Sequence, residues 1–133
     1  MGTIKITPLG KLTFKTVVEG HTFIASEPDH AGGPDAGPTP AQFFMASIGT
    51  CTAMYADLFC SYNKLPIDGF DVQLDYTQDP KTTQVLSLSM KITYPKNIQQ
   101  IQKMLFEKFL EKCAVKKAIT DGFPITVVFS EAK

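Results

Sequence analysis

The 133-residue chain has no arginine and no tryptophan, and all 13 of its basic residues are lysines. Chemistry that needs a planar, bidentate guanidinium is therefore closed to it. Only three cysteines and two histidines are present, and no two cysteines form a CxxC pair. That spacing argues against a structural zinc site and calls for no metal or other cofactor. The formal net charge is zero and the lysines are scattered, Lys116 and Lys117 being the one adjacent pair. The basic patch that a nucleic-acid partner would require is missing. The first ten residues, MGTIKITPLG, lack the apolar core of an export signal, and no stretch approaches the length of a membrane span. An odd cysteine count without a leader points to the cytoplasm, with no membrane association.

What is present describes one ordinary globular domain spanning residues 1–133. The composition is 44% hydrophobic and 20% charged, and a chain of this length buries enough surface to fold without staples. TIKIT, LTFKTVV and TFIAS alternate apolar and polar residues between short turns, predicting a β-meander over about 3–26. Residues 27–39 are rich in Gly, Pro and Asp and form a loop of a length that is often functional.

That loop ends in a helix signal. Thr39 stands as N-cap, Pro40 takes the first helical position and Gln42 completes a T-x-x-Q capping box. The helix is predicted over about 40–62. At 100° per residue, Phe44, Cys51, Tyr55, Leu58 and Tyr62 fall within about 40° of one line along it. Its first half is apolar nearly all round, without a charge from Ala41 through Ala56, which predicts burial. A β-hairpin follows over about 70–94. The C-terminal part, about 97–130, holds a helix with Ile98, Ile101, Leu105 and Phe109 on its inner stripe, a further helical piece from Cys113, and a closing strand, PITVVFS. The order is βββ-α-ββ-α(α)-β, an α+β fold of antiparallel sheets with a long central helix.

The three thiols differ in setting. Cys60 is nine residues beyond Cys51, half a turn out of phase, so the two point to opposite sides and cannot bridge. Cys60 reads as core or partner-facing. Cys113 sits where one helix breaks and another begins, where unpaired backbone N–H groups favour a thiolate. Cys51 is either a small piece of core or a thiol whose seclusion serves its chemistry.

GPTPAQFFMASIGTC, with its proline-led helix start eleven residues before the cysteine, resembles the first-cysteine motif of the OsmC/Ohr family. CAVKKAI resembles that family's second motif, usually Cys-Pro-Val, with Ala114 in place of proline. The similarity runs from Thr3 to Ser130. It implies an intertwined homodimer whose sheets wrap a long buried helix, with sites at the subunit interface. It further implies a thiol peroxidase acting on organic hydroperoxides. Cys51 would become a sulfenic acid, Cys113 would resolve it as a disulfide, and a dithiol or lipoyl-type reductant would reset the pair.

The chain departs from the peroxidase branches of that family, which hold the thiolate with an arginine oriented by a glutamate. Ala41 occupies the glutamate position and the arginine is missing, which places the chain nearer a less-characterised branch. Lys116, Lys117, His21 and His30 are the candidate cations for activating Cys51. A weak peroxidase is the first functional reading. The alternatives are a non-catalytic module binding an apolar ligand and a redox sensor of the same fold.

Overall fold

The computed structural model describes residues 1–132. Strands β1 (Ile4–Gly10), β2 (Thr13–Val18) and β3 (His21–Ser26) form an antiparallel sheet in sequence order, the meander that alternation predicts. Ile4 faces Val18 and Thr13 faces Ser26, and the ladder slips between Pro8 and Gly10, where proline offers no N–H. The buried hydroxyls of Thr13 and Ser26 satisfy each other at 2.9 Å. In the following loop a short 3-10 turn covers Asp29–Ala31. Gly37 packs so closely on the Ile24 carbonyl that any side chain would collide with it.

Helix α1 runs Pro40–Tyr62, the bounds its sequence signals give. The capping box is formed: the Thr39 N–H donates to Gln42 Oε1 at 2.9 Å, and the Gln42 N–H donates to Thr39 Oγ1 at 3.2 Å. Thr39→Ala removes one half of that exchange. The expected cost is about 1 kcal/mol, a fall of about 3–5 °C in the thermal midpoint of a chain this size, measurable by calorimetry.

Strands β4 (Asp71–Gln78) and β5 (Val85–Thr93) form a two-stranded sheet. Helices α2 (Gln100–Leu110) and α3 (Ala114–Asp121) follow. The chain divides into two compact units. One comprises Met1–Ser47 with Tyr76–Ser87; the other comprises Ile48–Asp75 and the chain from Leu88 onward. The second has a core of Ala56, Phe59, Phe106 and Leu110. Phe106 is its hub, meeting Phe59 edge-on at 5.3 Å and contacting Phe70 and Tyr94.

Four expectations are corrected. The buried line of α1 runs through Met45, Ile48, Thr52, Ala56 and Phe59, whereas Phe44, Leu58 and Tyr62 are exposed. A helix apolar on nearly every side gives its periodicity little power to choose a face, and within this chain one face is covered. On α2 the buried residues are Phe106 and Leu110, with Ile101 and Leu105 exposed. The closing strand over PITVVFS is not formed, because a strand exists only within a ladder and among the described residues no strand pairs with it; Val128 is 87% and Phe129 92% exposed. Finally, α1 is long and apolar enough to cross a bilayer by length and composition alone, although its C-terminal half contributes Ala56 and Phe59 to a packed core.

Candidate active site

The second unit brings Cys51 and Cys113 together across 61 intervening residues. Cys51 sits midway along α1 and is half-buried. Small residues around it let neighbouring chain approach: a Cβ on Gly49 would come within 2.5 Å of Leu74 Cδ1.

Cys113 is placed by the break between two helices. The Lys112 N–H donates to Phe109 O and the Cys113 N–H to Leu110 O, closing the end of α2. At Cys113 the backbone turns to φ −49°, ψ 117°, and its carbonyl then accepts the Lys117 N–H to open α3. Cys113 is thus the N-cap residue of α3, with no exposed surface. The break expected from sequence is where it was read.

The two thiols are free and neighbour each other closely enough that each shifts the other's titration. Burial raises the Cys51 thiol pKa, the neighbouring Cys113 raises it further, and the N–H groups of Val115 and Ala114 pull it back down. At Cys113 burial again acts upward. It is outweighed by the neighbouring Cys51 thiol, the Lys116 N–H, the Thr52 hydroxyl and the Val115 N–H, so that this thiol lies below its ordinary value. Cys113 makes no side-chain hydrogen bond that closes the α3 cap.

Thr52 has no counterpart in the sequence-based reading. It is fully buried beside Cys51 on α1, and its Oγ1 donates to Ile48 O at 3.0 Å. The signal for it was a polar residue flanking a cysteine in an uncharged, apolar run. Of the four candidate cations, Lys116 is half-buried and supplies its backbone N–H to Cys113. Lys117 is exposed, and His21 and His30 are exposed residues of the first unit.

Cys60 is buried on α1 and its thiol is pushed up by burial and by the charge of Asp57. It behaves as core, one of its two sequence readings. Among the described residues no group of three or more His, Cys, Asp or Glu side chains could hold a metal ion. A cavity of about 270 Å³ in this unit has Met90, Ile92, Phe106 and Leu110 as apolar walls and Lys116 at its lining.

The model of the OsmC-like protein family matches residues 32–128. No curated protein matches the chain significantly. Among solved structures, a protein from Psychrobacter arcticus 273-4, named for an osmotic stress induced and detoxification response, superposes with TM-score 0.77 at 18% identity, over 89% of this chain and 88% of its own. The organic hydroperoxide resistance protein OsmC of Legionella pneumophila gives 0.63 at 14% identity, over 90% and 88%. The organic hydroperoxide resistance protein OhrB of Bacillus subtilis gives 0.56 at 16%, over 89% of both chains. At these identities the structures speak to the fold.

Proposed function

The chain belongs to the OsmC-like protein family, and from that membership and its thiol pair we propose that it is a two-cysteine peroxidase that reduces organic hydroperoxides in the cytoplasm. The observation that carries this reading is that Cys51 on α1 and Cys113 at the cap of α3 are free thiols and neighbours.

The chemistry balances with these two groups. Cys51 Sγ attacks the terminal oxygen of the hydroperoxide; the S–O bond forms as the O–O bond breaks, and the proton that Cys51 gives up goes to the departing alkoxide, which leaves as an alcohol. The Cys113 thiolate then attacks Cys51 Sγ, forming the S–S bond and expelling hydroxide. Two sulfurs are oxidised and one peroxide is reduced. A dithiol or lipoyl-type reductant returns both thiols by exchange. The resolving attack comes from a sulfur already in place, which shortens the life of a sulfenic acid that further peroxide would otherwise destroy.

The protein works as a homodimer in this proposal. Met54, Leu58 and Tyr62 of α1 and, nearer the C-terminus, Ile125, Val127, Val128 and Phe129 are exposed apolar groups, more than a lone chain has reason to leave in water. Sedimentation at micromolar concentration is expected to give twice the chain mass.

The direct test is consumption of cumene hydroperoxide with dihydrolipoamide as reductant. Turnover well above that of free cysteine is expected. Loss of peroxide no faster than with an equal concentration of free cysteine contradicts the reading.

A further inference from the structure

The loop over residues 27–39, singled out by its length and its Gly, Pro and Asp content, has no role in the chemistry proposed above. It belongs to the first compact unit, whereas Cys51 and Cys113 belong to the second. In the first unit a hollow of about 580 Å³ lies between that loop, the start of α1, the end of β4 and the turn after it. We propose that this hollow binds a small organic cation, an ammonium or guanidinium group with hydroxyl or amide substituents, and that Glu27 is its counter-charge. The inference uses neither thiol and stands apart from the peroxidase reading.

The loop is held in one shape by its own backbone. The Ser26 N–H donates to Pro38 O at 3.1 Å, which ties the two ends together. The Glu27 N–H donates to Leu12 O at 3.3 Å. The Glu27 carbonyl accepts the Asp35 N–H at 2.9 Å and the Ser26 hydroxyl at 3.3 Å. Gly33 packs so closely on that carbonyl that any side chain would collide with it. The Pro28 carbonyl accepts the N–H groups of Ala31 and Gly33. Glu27 and His30, both at the lining, are therefore in place before a ligand arrives, and little ordering is left to oppose binding.

The side chains of the lining are left open where the backbone is closed. Glu27 is half-buried, and among the described residues its carboxylate has neither an ionic nor a hydrogen-bonding partner. A carboxylate drawn partly out of water without a counter-charge attracts a cation. No lysine stands among the described residues that line the hollow. Gln42 Oε1 is occupied by the Thr39 N–H, so its Nε2 remains a donor. Gln78 Nε2 donates to Thr83 O at 2.7 Å, so its Oε1 remains an acceptor. The Tyr76 hydroxyl is likewise without a partner among the described residues. These atoms suit hydroxyl or amide groups on the ligand.

The start of α1, also at the lining, would ordinarily favour an anion. Its donors are already committed. Pro40 has no N–H, the Gln42 N–H goes to Thr39 Oγ1 and the Phe43 N–H goes to Thr39 O. The free charge at the hollow is that of Glu27. A metal ion is a poorer occupant: of His, Cys, Asp and Glu, only Glu27 and His30 line the hollow, fewer than the three side chains a metal site takes. The volume falls within the range of about 300–1,000 Å³ usual for small-molecule sites.

Titration of the full chain with argininamide and with glucosamine, followed by heteronuclear NMR, tests the site. Glucose, which keeps the hydroxyls and carries no charge, is the control. Both cations are expected to shift the backbone amides of residues 27–35 and the side-chain amides of Gln42 and Gln78, saturating at millimolar concentration. Glucose at the same concentration leaves them unmoved. Glu27→Gln keeps the shape, removes the charge and is expected to weaken both cations about tenfold or more, the usual effect of losing one charge-assisted hydrogen bond. Ala41→Lys sets a positive charge at the lining without touching Glu27 and is expected to weaken them to a similar degree. Equal affinity in the parent and in either variant, shifts as large with glucose, or no saturable shift at these residues with either cation overturns the proposal.

Discussion

Cys51→Ser is expected to abolish hydroperoxide consumption, lowering turnover by about a thousandfold or more, because the variant lacks the proposed nucleophile. Cys113→Ser behaves differently. Cys51 is still expected to react with the peroxide. The sulfenic acid then persists, having no sulfur to resolve it, and advances to the sulfinic acid as peroxide is added. Mass spectrometry of the intact protein separates the two cases: no added oxygen on residue 51 in the first, one and then two oxygens in the second. Cys60→Ala is expected to keep the parent's peroxide chemistry, because Cys60 lies two and a half turns along α1 on its opposite side and belongs to the core. Equal residual turnover in the Cys51 and Cys60 variants would deny Cys51 its special position.

Phe106→Ala has the largest expected effect on stability. The ring is 1% exposed and touches Phe59, Phe70 and Tyr94. Its removal loses buried apolar area and leaves a cavity between α1 and α2 that aromatic neighbours cannot fill by small shifts. Truncations of this kind cost about 3–5 kcal/mol, out of a total that is about 5–15 kcal/mol for most domains. The thermal midpoint is expected to fall by about 10–20 °C. Leu105→Ala, one residue away on the exposed side of α2, gives a much smaller change in the isolated chain. Comparable losses at the two positions would mean that the packed face of α2 has been misassigned.

Local signals carried the fold further than they carried the packing. Thr39, Pro40 and Gln42 located the start of α1 to the residue, because a capping box is chemistry between near neighbours in the sequence. Alternation placed the meander, and the break at Cys113 was legible because two helical patterns fail to join there. The covered face of α1 was not legible. Phe44, Leu58 and Tyr62 are as apolar as Met45, Ile48 and Phe59, and only tertiary contact distinguishes them. Thr52 was passed over because a threonine in a helix looks indifferent, its polarity already absorbed by the Ile48 carbonyl. The strand expected at PITVVFS has the right pattern of residues, yet a pattern cannot supply the neighbouring strand that a ladder requires.

The site shows the same division. Sequence marked Cys51 and Cys113 by resemblance and directed the search for an activating group toward lysine and histidine side chains. In the structure Lys117, His21 and His30 are exposed, and Lys116 is half-buried.

The central claim is that Cys51 and Cys113 are one redox pair. Its most direct test is to treat the fully reduced protein with one equivalent of cumene hydroperoxide, block remaining thiols, digest without reductant and identify the linked peptides. A disulfide joining Cys51 to Cys113 within one chain, with Cys60 alkylated as a free thiol, is the predicted result. Recovery of both Cys51 and Cys113 as free thiols, or a link from either of them to Cys60, would contradict it.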